Sequence, residues 1–130
     1  MTNKETVQQM YADFGQGNIT GILNVISDDI IWDTPGPRLI PWAGVRRGKA
    51  GAIDFFQQVG SSTTYEKFEP QTFIEEADTV VASGVGHFTT KTTGKKGISP
   101  WIMVWTFKDG VATQVKNHWD TYAIAETFML

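Results

Sequence analysis

Apolar side chains recur every third or fourth residue through the first half of the chain and every second residue through much of the rest. The first spacing marks one face of a helix, the second one face of a strand. Val7, Met10, Tyr11 and Phe14 predict a helix from Lys4 to Gly15, with Thr2 or Asn3 as its cap and Gly15 and Gly17 at its end. A second, shorter helix capped by Asn18 or Thr20 turns Ile22, Leu23, Val25 and Ile26 inward and stops at Ser27-Asp28-Asp29. Ile30 to Thr34 reads as a short strand ended by Pro35-Gly36-Pro37, and the proline- and glycine-rich stretch up to Gly48 reads as a structured loop. Gly48 to Gly60 is a third helix with Ala52, Phe55, Phe56 and Val59 on one side. Four alternating segments follow: Tyr65 to Glu75, Thr79 to Lys91, Ile98 to Phe107 and Val111 to Trp119. Compact turns at Glu76-Ala77-Asp78, Thr93-Gly94-Lys95-Lys96 and Asp109-Gly110 join them into an antiparallel meander. Thr121 to Leu130 closes the chain as a short helix with Asp120 at its cap position. The order is that of an α+β fold, helices covering one face of a curved sheet around an open conical cavity.

Asp109-Gly110 is a strong hairpin signal, because both residues tolerate positive φ. Around it the odd-numbered Trp101, Met103, Trp105, Phe107, Val115, Asn117 and Trp119 fall on one face. A simple two-residue turn would set Met103 opposite Lys116 and Trp101 opposite His118. One bulged residue at the turn sets Met103 opposite Val115 and Trp101 opposite Asn117 and keeps the face apolar, so the bulged register is expected. A tight turn at Gly94-Lys95 would set Gly84 opposite Trp105, Gly86 opposite Met103 and Phe88 opposite Trp101. Two glycines then face two large side chains, either as core in which indole fills the gap or as the wall of a cavity. Asn117 favours the cavity, since a lone amide between Val115 and Trp119 needs hydrogen-bond partners. The even-numbered Ile102, Val104 and Thr106, with Val81, Val85 and His87, would line the opposite face. That face is too apolar for open water, and with no helix left to cover it a homodimer through it is expected.

Composition narrows the function classes. Hydrophobic residues make up 41% and charged residues 19% of the 130, which describes a folded domain rather than a disordered tail. A net charge of −3 without a basic cluster argues against nucleic acid. The absence of Cys removes disulfide and thiolate chemistry, and His87 and His118 are too few for a protein-only metal site. The N-terminus has no apolar signal core, and no run approaches the ~18 apolar residues of a membrane helix, so a cytoplasmic location away from membranes is expected.

Several short pieces recur in a telling order: Val7-Gln8-Gln9-Met10-Tyr11, Gly17-Asn18-Ile19, and Asp28-Asp29-Ile30-Ile31-Trp32-Asp33-Thr34-Pro35. Gly44 and Arg47-Gly48 follow ahead of the third helix, then Trp101 to Gly110 and Trp119-Asp120-Thr121. Their order and spacing resemble the SnoaL-like branch of the nuclear-transport-factor-2-like superfamily, which also holds ketosteroid isomerases, polyketide cyclases and limonene epoxide hydrolases. The resemblance implies one domain over residues 1–130. It implies a cone-shaped α+β barrel, a curved antiparallel sheet wrapped on three N-terminal helices, with a short C-terminal helix. It further implies an apolar pocket and commonly a dimer through the sheet.

The resemblance also tests particular chemistries. The isomerases' oxyanion-hole tyrosine falls on Met10, their general-base aspartate on Thr34 and their protonated aspartic acid on Met103. None of these can move the proton or hold the enolate, so steroid isomerisation by that mechanism is not expected. The cyclases use one aspartate as acid and base, for which Asp120, His118 and Asp33 are the candidates. Against this stand plainer roles: Asp120 as a helix N-cap, His118 on the outer face, and Asp33 pointing outward to pair with Arg46 or Arg47. Asp33, Arg47 and Asp120 supply the residue types of the epoxide hydrolases' Asp-Arg-Asp set, without spacing that brings them together.

A cofactor-independent enzyme of the cyclase, isomerase or hydrolase kind and a non-catalytic binder of a small hydrophobic molecule therefore both stand, with an epoxide-hydrolase-like enzyme as a further alternative. No cofactor is implied. The expected ligand wall comprises Met10, Tyr11, Trp32, Thr34, Trp42, Phe56, Phe88, Trp101, Met103, Trp105, Val115, Asn117 and Trp119. Trp101→Ala or Trp105→Ala is expected to abolish ligand uptake and leave the fold intact. A titratable group inside the cavity would favour catalysis, its absence binding.

Overall fold

Thr2, in extended conformation, starts α1 (Asn3–Gly15) in the computed structural model, which describes residues 1–130. Its hydroxyl accepts from the Glu5 N–H at 3.1 Å while the Glu5 carboxylate accepts from the Thr2 N–H at 2.8 Å. This reciprocal cap satisfies two donors that a helix start leaves free. Asn18 caps α2 (Ile19–Leu23), a single turn. The chain extends sooner than its periodicity suggests, because the Ala112 N–H reaches the Val25 carbonyl at 2.9 Å and draws Val25 and Ile26 into the sheet. Ser27-Asp28-Asp29 consequently belong to β1 (Ile26–Thr34) rather than ending a helix.

The segment expected as loop contains a further strand, β2 (Gly44–Arg47), antiparallel to β1 from Thr34↔Gly44 to Ile31↔Arg47. After it come α3 (Gly48–Ser62), β3 (Thr63–Glu76), β4 (Thr79–Thr90), β5 (Lys96–Lys108), β6 (Val111–Trp119) and α4 (Thr121–Glu126). The six strands form one sheet in the order β2-β1-β6-β5-β4-β3. The meander β3 to β6 is antiparallel as expected, whereas β1 runs parallel to β6, so the sheet is mixed. No helix is long and apolar enough to cross a membrane.

Both hairpin registers differ from the arithmetic, each for a local reason. Between β4 and β5 the connection is the loop Lys91–Lys95, closed by the Thr90 N–H on Lys95 O at 2.9 Å, with Gly94 at φ 73°. Gly84 therefore faces Trp101 instead of Trp105, Gly86 faces Ser99, and Phe88 faces Gly97. Between β5 and β6, Asp109 (φ 52°) and Gly110 (φ 81°) make a two-residue turn that pairs Lys108 with Val111. The extra residue is Thr113, inside β6, so the pairing becomes Trp101↔Trp119, Met103↔Asn117 and Trp105↔Val115. Because the bulge lies in β6, partner numbers move up rather than down, and the odd-numbered apolar face is preserved.

That inner face carries Val80, Ala82, Trp101, Met103, Trp105, Phe107 and Val115, buried against Val7, Met10, Ile22, Ala52 and Phe55 of the helices and Ile124 of α4. The outer face holds Ile74, Ile98 and Ile102, exposed, with Val81, Val85, Val104 and His87 half-buried.

Candidate ligand pocket

Helices and inner sheet face converge on one apolar slot. α1 contributes Met10, Tyr11 and Phe14, and α3 contributes Phe55, Phe56 and Val59. β3 adds Tyr65 and Phe68, β5 adds Met103 and Trp105, and Ile22, Trp32, Trp42 and Trp119 complete the wall. The cavity left between them measures about 50 Å³, against ~300–1,000 Å³ for pockets that enclose drug-sized molecules. The open cone expected from the alternating strands is thus largely filled by the chain's own rings. Trp101 stacks with Phe68 at 4.7 Å, planes 3° apart, and with Tyr11 at 5.2 Å and 22°. Trp32 packs edge-on against Trp105 at 5.6 Å and against Phe56 at 5.4 Å.

Of the expected wall, Met10, Tyr11, Trp32, Trp42, Phe56, Met103, Trp105 and Trp119 border the cavity. Thr34, Phe88, Trp101, Val115 and Asn117 are buried but stand behind it. Phe88 instead covers Gly97, where a Cβ would lie 2.5 Å from its ring. The expectation missed Phe14, Ile22, Phe55 and Val59, legible only as helix core, and Tyr65 and Phe68 on β3. Those two are three residues apart, a spacing that strand alternation sends to opposite faces. A register shift between Tyr65 and Lys67 turns both inward.

The acid and base candidates lie elsewhere. Asp120 is exposed and accepts the Ala123 N–H at 3.0 Å as the cap of α4. His118 is exposed on the outer face, and Asp33 is half-buried on that face in register with Val45 and Lys116. The expected ion pair of Asp33 with Arg46 or Arg47 does not form. Arg46 stands opposite Trp32, on the other face from Asp33, and gives its Nε–H to Asp54 at 2.8 Å and an Nη1–H to Trp42 O at 2.6 Å. This clip fastens the loop that carries Trp42 over the pocket. Arg47 is exposed, and no hydrogen bond or ion pair joins it to Asp33 or Asp120. The one buried carboxylate, Asp13, accepts from Gln9 Nε2 at 3.0 Å and Asn18 Nδ2 at 3.5 Å, between α1 and α2 and outside the wall.

Polar atoms inside are few. Trp105 Nε1–H donates to the Tyr11 hydroxyl at 3.2 Å, which donates to Met103 Sδ at 2.9 Å. Burial pushes the phenols of Tyr11 and Tyr65 above their ordinary pKa, so at neutral pH both are neutral donors and neither is a base. Asn117 Nδ2–H donates to Thr34 Oγ1 at 2.6 Å. Asn117 Oδ1 and the indole N–H groups of Trp32, Trp101 and Trp119 are buried with no protein partner.

The sequence model of the family described as SnoaL-like domain matches residues 7–115. A protein of the nuclear-transport-factor-2-like fold from Burkholderia xenovorans superposes with a TM-score of 0.88 at 27% identity, covering 98% of this chain and 95% of its own. TerC, co-crystallised with polyporic acid, superposes with a TM-score of 0.80 at 28% identity, covering 97% of each chain. A polyketide cyclase-like protein from Pseudomonas putida gives 0.82 at 19% identity, covering 98% of each, which is a likeness of fold alone. No curated protein sequence matches the chain.

Proposed function

The chain belongs to the SnoaL-like domain family, and on that premise we propose that it binds a small hydrophobic organic molecule in its aromatic slot without supplying an acid or base to it. The observation that carries this reading is the wall itself: every residue bordering the cavity is hydrophobic, and its only ionisable groups are two phenols held neutral by burial. Asp120, His118 and Asp33 lie outside, which weighs against a cyclase-type proton transfer by any of them. The scattered Asp33, Arg47 and Asp120 weigh equally against epoxide hydrolysis. TerC, the relative crystallised with polyporic acid, lends support to an organic ligand for this fold. A molecule larger than the present cavity needs the half-buried Phe14, Phe56, Tyr65, Phe68 and Trp119 to move apart. Titration of tryptophan fluorescence with naphthalene tests the reading. Saturable quenching is expected in the natural protein and none in Val59→Phe, where the added ring occupies the slot. Equal quenching in both, or none in the natural protein, refutes it.

We further propose a homodimer through the outer sheet face. Ile74, Val81 and Val104 form one row across β3, β4 and β5 that continues to Lys116 on β6, while Glu76 and Glu69 flank the β3 side. A two-fold axis would lay this face of one copy on that of the other and cover the exposed Ile74 and Ile102, with Glu69 already paired to Lys67 at 3.1 Å. Sedimentation equilibrium should give a dimer for the natural protein and a monomer for Ile102→Glu. A monomeric natural protein refutes it.

A further inference from the structure

Asn117 is the most polar side chain on the inner sheet face and is fully buried. Its amide nitrogen is spent on Thr34, and its carbonyl oxygen has no protein donor within reach. Leaving such an oxygen unpaired in an apolar interior is unfavourable, so it calls for a partner from outside the chain, a water or a group on a ligand that displaces it. Its place in the sheet says which. Met103 is its cross-strand partner and Trp119 lies two residues along the same strand, and both border the cavity. The amide therefore stands one side chain behind the wall. Met103, unbranched and flexible, is the side chain most easily turned aside when the slot widens.

We propose that Asn117 determines the specificity of this pocket by accepting a hydrogen bond from a hydroxyl group on the bound molecule, so that the ligand is an apolar ring system carrying a phenol or enol. The inference rests on the binding reading above and adds the polar group that reading leaves open. A hydroxyl fits better than a bare carbonyl for two reasons. The free atom of Asn117 is an acceptor and needs a donor. Three unpartnered indole N–H groups on the same face, those of Trp32, Trp101 and Trp119, are donors and need an acceptor. A hydroxyl can give its hydrogen to the Asn117 oxygen and accept one from the indole N–H of a wall tryptophan such as Trp119, which a carbonyl cannot do.

Paired probes separate this inference from the reading beneath it: 2-naphthol and naphthalene differ by one hydroxyl and fill nearly the same space. The natural protein should bind 2-naphthol tighter by on the order of tenfold, by tryptophan quenching. Asn117→Leu should bring the two probes to equal affinity while still taking up naphthalene. If the lone Thr34 hydroxyl prevents that variant from folding, Thr34→Val with Asn117→Leu replaces both partners by apolar groups and reads the same ratio. Equal affinity of the two probes for the natural protein overturns the role of Asn117 and leaves the binding reading standing, as does a preference for 2-naphthol that survives both variants. Failure of the natural protein to bind either probe overturns both.

Discussion

Replacing Gly84 by alanine probes how closely the bulged edge strand β3 lies on β4. A Cβ at that position would stand 2.1 Å from the Glu69 carbonyl oxygen and 2.6 Å from Trp101 Cζ2, where ordinary contact begins at 3.4 Å. The crowding has a local cause. Pro70, opposite Gly84, has no N–H to give to the ladder, and the pairing skips Gln71 before resuming at Thr72. The Trp101 ring is held by its stacks on Phe68 and Tyr11, and the oxygen belongs to the backbone, so neither yields by a rotamer change. Relief requires β3 to move by roughly 1 Å, an overpacking of the kind that costs ~1–3 kcal/mol. Alanine lowers the entropy of the unfolded chain, which offsets ~0.4–1 kcal/mol. The net loss is about 1–2 kcal/mol, and with a urea m-value of about 1.5 kcal/mol per molar the midpoint should fall by about 1 M. Gly60→Ala is the control of opposite sign. It lies in α3 with nothing within 4 Å of its Cβ position, so only helix propensity acts, a gain of up to about 1 kcal/mol. Urea unfolding followed by far-ultraviolet circular dichroism reads both without dependence on the five tryptophans. A Gly84→Ala midpoint at or above that of the natural protein would refute the close packing from which the loss is computed.

Trp101→Ala should cost ~3–5 kcal/mol in equilibrium unfolding, because the ring is buried core behind the cavity and not a removable wall; a loss below about 1 kcal/mol contradicts this. The Arg46 hydrogen bond, aided by Gln58, holds the Asp54 carboxyl below its ordinary pKa. Its contribution to stability is therefore present above the unfolded carboxylate value of about 4 and is lost as pH falls through the lower folded value. Asp54→Asn should flatten the acid limb of the stability curve, and an unchanged limb speaks against the clip. The raised phenols of Tyr11 and Tyr65 have the opposite consequence: stability falls as pH rises past the ordinary phenol value of about 10, since the unfolded chain releases those protons first. Absorbance titration should show the phenolates of Tyr11 and Tyr65 forming only as the protein unfolds, and their formation in the folded protein would refute the raised values.

Element type is legible wherever periodicity and a terminator agree. Val7, Met10, Tyr11 and Phe14 before Gly15, and the alternation on either side of Asp109-Gly110, locate α1 and the β5–β6 hairpin closely. The errors fall where a long-range bond overrides a local signal. Ser27-Asp28-Asp29 looks like a helix end until the Ala112 N–H on Val25 O draws the segment into the sheet. Gly44–Arg47 has no alternation to reveal it and becomes a strand only because β1 offers an edge. Register is fixed by how many residues a connection or a bulge takes up, and the loop Lys91–Lys95 and the bulged Thr113 inside β6 each change that number without any compositional mark.

The same division runs through the site. Parity along β6 already separates Asn117 and Trp119, inside, from His118, outside, and the helix that follows Asp120 already claims its carboxylate as a cap. Alternation and the i, i+3, i+4 patterns of α1 and α3 therefore identify part of the wall, Met10, Tyr11, Phe56, Met103, Trp105 and Trp119 among it, but not Tyr65 and Phe68. How much space that wall encloses does not follow. The free volume is a small remainder between the shell made by a curved sheet and the rings inside it, and the curvature depends on the shifts at Tyr65, Pro70 and Thr106. The first of those shifts, between Tyr65 and Lys67, turns both Tyr65 and Phe68 of β3 into the interior. Rings delivered by a bulge, not by alternation, thus join those of α1, α3 and β5 around a cavity of about 50 Å³. β3 is an edge strand held on one side only, yet it pairs with β4 at twelve positions, so the strand that carries Tyr65 and Phe68 into the wall is anchored along most of its length.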